Sequence, residues 1–378
     1  MARYRLIDGL RGLAALLVLL SHVGFWTGAD HLDLSGGLLA RGDSGVAVFF
    51  AISAFLLLRP WLPGAPPQRI GGYAGRRAAR ILPAYLIALA AVLLVAGTWG
   101  AVGGAGLGGI GKVVAHLLLV QGYADTSYQS FSQTWSLTTE VSFYVLVPVI
   151  GRALGRLLQR SPRAVYGALG ATVAGGVVIQ AVTAVWTQHS PTTHAGVLGT
   201  SVLGHAAWFA AGAALAIAVQ RGDLDRLRDI GVGTWLAAAG VVYLIASSGI
   251  AGPRDLHAPT VGAAVAKELL YTLLAGLLLL AAVRGPSDER WCAVAASPAT
   301  RFVGDLSYGV FLWHVLVLQV IYRVSGWALF TGGFSAVLFA VLVFSWLIAW
   351  ASATLVEQPI LRRVHRRTRT PRVPARQA

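Results

Sequence analysis

"DGLRGLAALLVLLSHVGFW", residues 8–26, is apolar enough to span a bilayer, yet it carries Asp8, Arg11 and His22. Crossing the hydrocarbon core takes about 20 predominantly apolar residues. Ionisable groups inside such a helix are costly and tend to mark function. Eleven residues at about 100° each bring Arg11 and His22 to within about 20° of one another around the axis, about 16 Å apart along it. They share one stripe at two depths. Asp8, three residues before Arg11, is placed to pair with it. A purely structural Asp8–Arg11 pair, with His22 bonded to a neighbouring helix, is the competing reading.

The rest of the chain has the same character. Of its 378 residues, 56% are hydrophobic and 12% charged, against about 25% charged in a soluble domain; mean hydropathy is +0.68. Apolar segments predict spans near 6–26, 43–60, 81–99, 135–151, 164–186, 198–219, 231–250, 267–283, 302–324 and 333–356. The expected fold is an all-α polytopic transmembrane bundle of about 10 spans. "IGKVVAHLLLVQGY", 110–123, is too short to cross and is read as a re-entrant or interfacial helix. Residues 1–361 form one membrane domain in this reading, and 362–378 a basic, disordered tail.

Net charge is +15. The arginines cluster in loops 61–80, 152–163, 220–230 and 284–301 and in the tail, and the intervening loops hold few. That alternation is the signature of cytoplasmic loops facing anionic lipid, not of a nucleic-acid surface, and it puts both termini in the cytoplasm. "MARYRLIDGL" is read as the start of a retained span, not a cleaved signal. Cys292 is the only cysteine, so an intrachain disulfide is excluded. Only Lys112 and Lys267 are lysines among 30 basic residues, a bias that suggests a GC-rich bacterial genome. The expected location is the bacterial cytoplasmic membrane, multi-pass.

"QTWSLTTEVSFYVLVP", 133–148, places Glu140 about five residues into its span, with Tyr144 on the same face. Glu140 then lies about 8 Å from the outer boundary, a depth similar to that of His22. A carboxylate beside an imidazole would fix its tautomer and suit general-base work; a helix-start carboxylate favoured by the dipole is the alternative. Arg76, Arg77 and Arg80 precede a span and read either as a positive-inside cluster or as a phosphate site. His314 falls mid-span as a pocket wall or a core histidine, and Ser53 as a packing residue or a cavity hydroxyl. Asp43, at the head of its span, is a further pocket candidate. No GxSxG, HExxH or GxxxxGK[ST] occurs, and the histidines show no metal-ligand spacing, so no metal is expected.

Six motifs in order, "LIDGLRGLAALLVLLSH", "GDSGVAVFFAISAFLL", "RRAARILPAYL", "WSLTTEVSFYVLVP", "SYGVFLWH" and "VEQP", span residues 6–359. Together they resemble the acyltransferase family 3 proteins, bacterial integral-membrane O-acyltransferases. The resemblance implies transfer of an acyl group, often acetyl from acetyl-CoA, to a hydroxyl of a cell-envelope glycan, a glycolipid or a macrolide sugar. By motif position it places the family's essential Arg and His on Arg11 and His22, its WSL-E glutamate on Glu140 and its R-x-x-R-I-L-P arginine on Arg80; the expected mechanism makes Arg11, His22 and Glu140 catalytic and has Arg80, with Arg76, Arg77 or Arg11, hold the phosphates of coenzyme A. The resemblance places the family's LWH histidine on His314. The chain departs from the family at Ser53-Ala54-Phe55, where Ser-Gly-Phe is common. A glycolipid transporter or flippase would fit the composition equally well, but such proteins often show two corresponding halves with broken helices, which this sequence does not.

Overall fold

The computed structural model describes residues 4, 6–99, 106–190, 193–227, 229–284, 293–294 and 297–368. Cys292, Arg228, Arg290, residues 100–105 of the glycine-rich stretch and the tail from 369 onward lie outside the described residues. Fourteen α-helices and no strand occur among the described residues. They are α1 (Leu6–Thr27), α2 (Asp33–Ala40), α3 (Gly45–Leu58), α4 (Ile70–Thr98), α5 (Ile110–Leu117), α6 (Trp135–Arg160) and α7 (Pro162–His189). Then come α8 (Thr193–Thr200), α9 (Ala206–Arg221), α10 (Val232–Ser247), α11 (Val261–Arg284), α12 (Pro298–Ser325), α13 (Phe334–Ser352) and α14 (Gln358–Thr368).

Among the described residues, eight helical stretches are long and apolar enough to cross a membrane, so the protein is multi-pass. The two other predicted spans correspond to α9 and α10, apolar helices of 16 residues each, about 24 Å long. The predicted span 198–219 is broken: α8 ends at Thr200 and α9 begins at Ala206. The second predicted span is likewise led in by α2 and a tight turn at Arg41–Ser44. The eight-residue α5 is about 12 Å long and packs between α4 and α6. Tyr85 donates to the His116 carbonyl, and the Gly122 amide to Thr138 Oγ1.

The core sits around α12, which packs on α1, α13, α4 and the 129–134 turn. Large apolar side chains such as Leu94, Val145, Val149, Phe339 and Leu355 point outward. A lipid-facing belt explains an apolar exterior that water would not. The 59–69, 161 and 222–231 turns gather at one end, where Gln220 reaches the Pro63 carbonyl and Tyr166 reaches Asp223. The 28–44, 248–260 and 326–333 turns gather at the other, where Arg41 caps the carbonyls of Ala246 and Gly252.

Candidate active site

Glycines let α1 and α12 touch. A Cβ on Gly304 would meet the Asp8 carbonyl oxygen at 2.5 Å, and one on Gly12 would meet Val303 Cγ1 at 2.1 Å. With the helices this close, His314 Nε2 comes to 3.2 Å from His22 Nδ1, the rings edge to face. His22 Nδ1 also faces the Val18 carbonyl at 2.9 Å, and His314 Nδ1 faces the Val310 carbonyl at 3.1 Å. A carbonyl oxygen only accepts, so both Nδ1 atoms carry their protons. His314 Nε2 is then an acceptor, and His22 Nε2 holds a free lone pair. Two neighbours thus fix the tautomer of His22, as a base requires.

His22 opens into a chamber of about 930 Å³. Asp43 lines it, holding Lys267 Nζ at 2.7 Å and accepting from the Tyr271 hydroxyl. Asp43 is also the carboxylate whose charge reaches His22. Across the chamber, His205 Nδ1 lies 3.2 Å from Glu268 Oε2 and the His205 ring stacks on Trp208 at 3.7 Å. Glu268 is 2% exposed. Trp26, Trp135, Phe330, Gln129 and Gln133 complete a wall of aromatic faces and amide groups.

The other end of the α1 stripe borders a second, narrow cavity of about 70 Å³. Arg11, Arg77 and Arg80 line it together with Glu140, Ser53, Tyr144 and Tyr308. Glu140 Oε1 accepts from Ser53 at 2.5 Å and from Tyr144 at 2.6 Å. Three guanidinium groups against one carboxylate leave this cavity net positive. Glu357, in the π-turn after α13, adds a negative charge near Arg80. Val46 and Phe311 border both cavities.

The sequence-predicted residues therefore divide in two. His22 and Asp43 line the large chamber, with His314 buried behind His22; Arg11, Arg77, Arg80, Glu140, Ser53 and Tyr144 line the narrow one. The expected Glu140–His22 pairing is not formed. The reason is that α6 starts inside the bundle, not at its outer boundary. Gln133, just before α6, donates to the Phe311 and Leu312 carbonyls near the level of His314. Glu140 is seven residues further on, about 10 Å deeper. Arg76 is not in the site: it is exposed and bonded to Gln68 at 2.8 Å, because one residue along a helix turns the side chain about 100° away from Arg77. Asp8 packs against Gly304, and its charge reaches Arg11. Sequence reasoning passed over Lys267, Glu268, Tyr271 and His205. The signal was a Lys-Glu pair inside an apolar run; α11 begins at Val261, not at 267, so both charges sit within the helix.

A sequence model of the acyltransferase domain family matches residues 4–350. The chain is 28% identical over 386 aligned positions to a Komagataeibacter xylinus protein named "Putative membrane-bound transacylase BcsY", covering 94% of this chain and 82% of that one. No solved structure matches it. The chain belongs to this acyltransferase family, and it is a membrane acyltransferase.

Proposed function

We propose that this member of the acyltransferase family moves an acyl group, acetyl in the simplest case, from acyl-CoA to a hydroxyl. The acceptor belongs to a cell-envelope glycan, a glycolipid or a secondary-metabolite sugar. The observation that carries this reading is the pair of cavities set along one helix. One is narrow and lined by guanidinium groups, the other is roomy and lined by His22, and they meet at Val46 and Phe311.

Each cavity suits one substrate. Ligand pockets commonly run to about 300–1,000 Å³, a range that includes the large chamber at about 930 Å³. Its aromatic faces and amide side chains suit a sugar. The narrow cavity, about 70 Å³, is too small for a nucleotide, so only an extended chain could enter it. Arg77 and Arg80 at its mouth would hold phosphate oxygens, for which guanidinium forks are matched. The pantetheine arm would follow the face of α1 from Arg11 toward His22, about 16 Å. Bound there, acyl-CoA supplies an activated thioester; the reactive centre of the protein is the lone pair on His22 Nε2. The arginine-rich end faces the cytoplasm of a bacterium in this reading, where acyl-CoA is made.

Protein purified into lipid nanodiscs, given labelled acetyl-CoA and a total envelope extract, should release free CoA and label the extract. Thioester consumption separates acyl transfer from transport. His22→Ala, correctly folded and inserted, should do neither. Full transfer by that variant would overturn the assignment.

A further inference from the structure

His205 and Glu268 belong to the large chamber, and the chemistry above does not use them. Glu268 is almost wholly buried and holds His205 Nδ1 at 3.2 Å, which keeps the proton on that nitrogen. His205 is clamped by its stack on Trp208 and by Trp135 at 5.5 Å. Among the described residues its Nε2 makes no hydrogen bond, and it is not sealed from solvent. The ring therefore presents an unprotonated nitrogen to the same chamber as His22. Electrostatic contacts link the two sites: Asp43 acts on His22, binds Lys267, and Lys267 adjoins Glu268 in α11. One chamber thus holds two imidazoles with opposite kinds of support. His22 rests on a carbonyl and a neutral imidazole, with Asp43 acting on it without a hydrogen bond, so no partner in contact carries a full negative charge. His205 rests on a carboxylate, which does.

We propose that the two histidines divide the reaction: His22 carries the acyl group, and His205, positioned by Glu268, is the base for the acceptor hydroxyl. This rests on the reading of the chain as an acyl-CoA-dependent transferase. In the first half-reaction, His22 Nε2 attacks the thioester carbonyl, the C–S bond breaks and the thiolate leaves. The Nδ1 proton of His22 stays between the Val18 carbonyl and His314 Nε2, so the intermediate is an acyl-imidazolium whose charge balances the departed thiolate. In the second, the acceptor oxygen attacks that acyl carbon while its proton moves to His205 Nε2. The bond from the acyl carbon to His22 breaks, and the new ester departs. The proton on His205 leaves to solvent, balancing the thiolate released earlier. His205 is a catalytic residue here, and Glu268 a positioning residue.

The test separates the halves. Labelled CoA is incubated with acetyl-CoA and nanodisc-embedded protein without acceptor, and label entering acetyl-CoA is measured. Transfer to water or to a total envelope extract is measured in parallel. Wild type should exchange, and His22→Gln should neither exchange nor transfer. His205→Gln should keep exchange, hold acetyl on His22 by peptide mass spectrometry, and transfer about 100-fold more slowly. Glu268→Gln should share that pattern with a smaller loss, because its amide oxygen still accepts from Nδ1. Retained exchange is itself the proof of folding. Wild type that transfers without exchanging, or both variants losing exchange in step with transfer, overturns the division. Wild type that consumes no acetyl-CoA in either assay overturns the acyl-transfer reading itself.

Discussion

Gly304→Ala tests whether the α1–α12 contact builds the site. The new Cβ would lie 2.5 Å from the Asp8 carbonyl oxygen and 2.8 Å from its carbon. Both are backbone atoms, so no rotamer change relieves the clash. Reaching ordinary contact at 3.4 Å requires the helices to part by about 0.9 Å, the difference 3.4 − 2.5. If that shift carries along the helix to His314, the 3.2 Å gap to His22 Nδ1 opens to about 4.1 Å, beyond hydrogen-bond reach. Overpacking of this kind costs about 1–3 kcal/mol of stability, and a displacement near 1 Å at a reacting group costs about 100-fold in rate. Gly309→Ala is the control. Its Cβ would lie 2.8 Å from Ala349 Cβ, pushing on α13, which lines neither cavity. Thermal melting and acetyl transfer should be measured for both variants in nanodiscs. Both should melt lower, but only Gly304→Ala should lose activity steeply. Equal losses of activity, or full activity in Gly304→Ala, would show that the histidine contact does not depend on this close approach.

His314→Leu should slow transfer by at least about tenfold by removing the acceptor that fixes His22, whereas His314→Gln, whose amide oxygen can accept from Nδ1, should lose less; kcat for the two decides it. Ser53 and Tyr144 both donate to one oxygen of Glu140. Glu140→Gln keeps that oxygen, whereas Glu140→Ala orphans two hydroxyls at about 1–3 kcal/mol each, so the alanine variant should melt well below the glutamine one. Arg77→Ala and Arg80→Ala should raise KM for acetyl-CoA and Arg76→Ala should not; an equal rise in all three would mean a diffuse basic surface instead of a site. At the turn after α9, Arg221 and then Tyr166 hold the Asp223 carboxyl below the usual aspartate range by hydrogen bonding. A depressed pKa favours the folded state only above the unfolded value. Wild type should therefore melt above Asp223→Asn at neutral pH, and the gap should close as the pH falls through the pKa of folded Asp223.

The stripe from Arg11 to His22 was legible because it lies within one helix, where spacing alone fixes direction. What spacing could not reveal was which neighbours face each end. The depth argument for Glu140 assumed that α6 begins at the membrane boundary. A helix start buried against another helix, as Gln133 is against Leu312, leaves no periodic mark in sequence. His205 was hidden for a related reason: the break between α8 and α9 places it in the chamber, and an apolar window such as 198–219 reads through such a break. Lys267 and Glu268 were visible as charges in an apolar run, but a span boundary drawn at 267 made them look terminal.

The two-cavity arrangement also explains why so apolar a helix tolerates an arginine and a histidine. Between them α1 presents only Gly, Ala, Leu, Val and Ser, and Phe311 and Val46 close the passage at the same level. Phe311 lies one turn before His314 and its ring packs 6.1 Å from it, with Phe49 at 6.0 Å on the other side. Polar groups thus stand at both ends of an apolar constriction. A thioester crossing it would leave its charged phosphates behind at the guanidinium end and meet His22 at the edge of the large chamber. The same constriction would keep the donor's charged end apart from the chamber that takes the acceptor, so the two substrates meet only at His22.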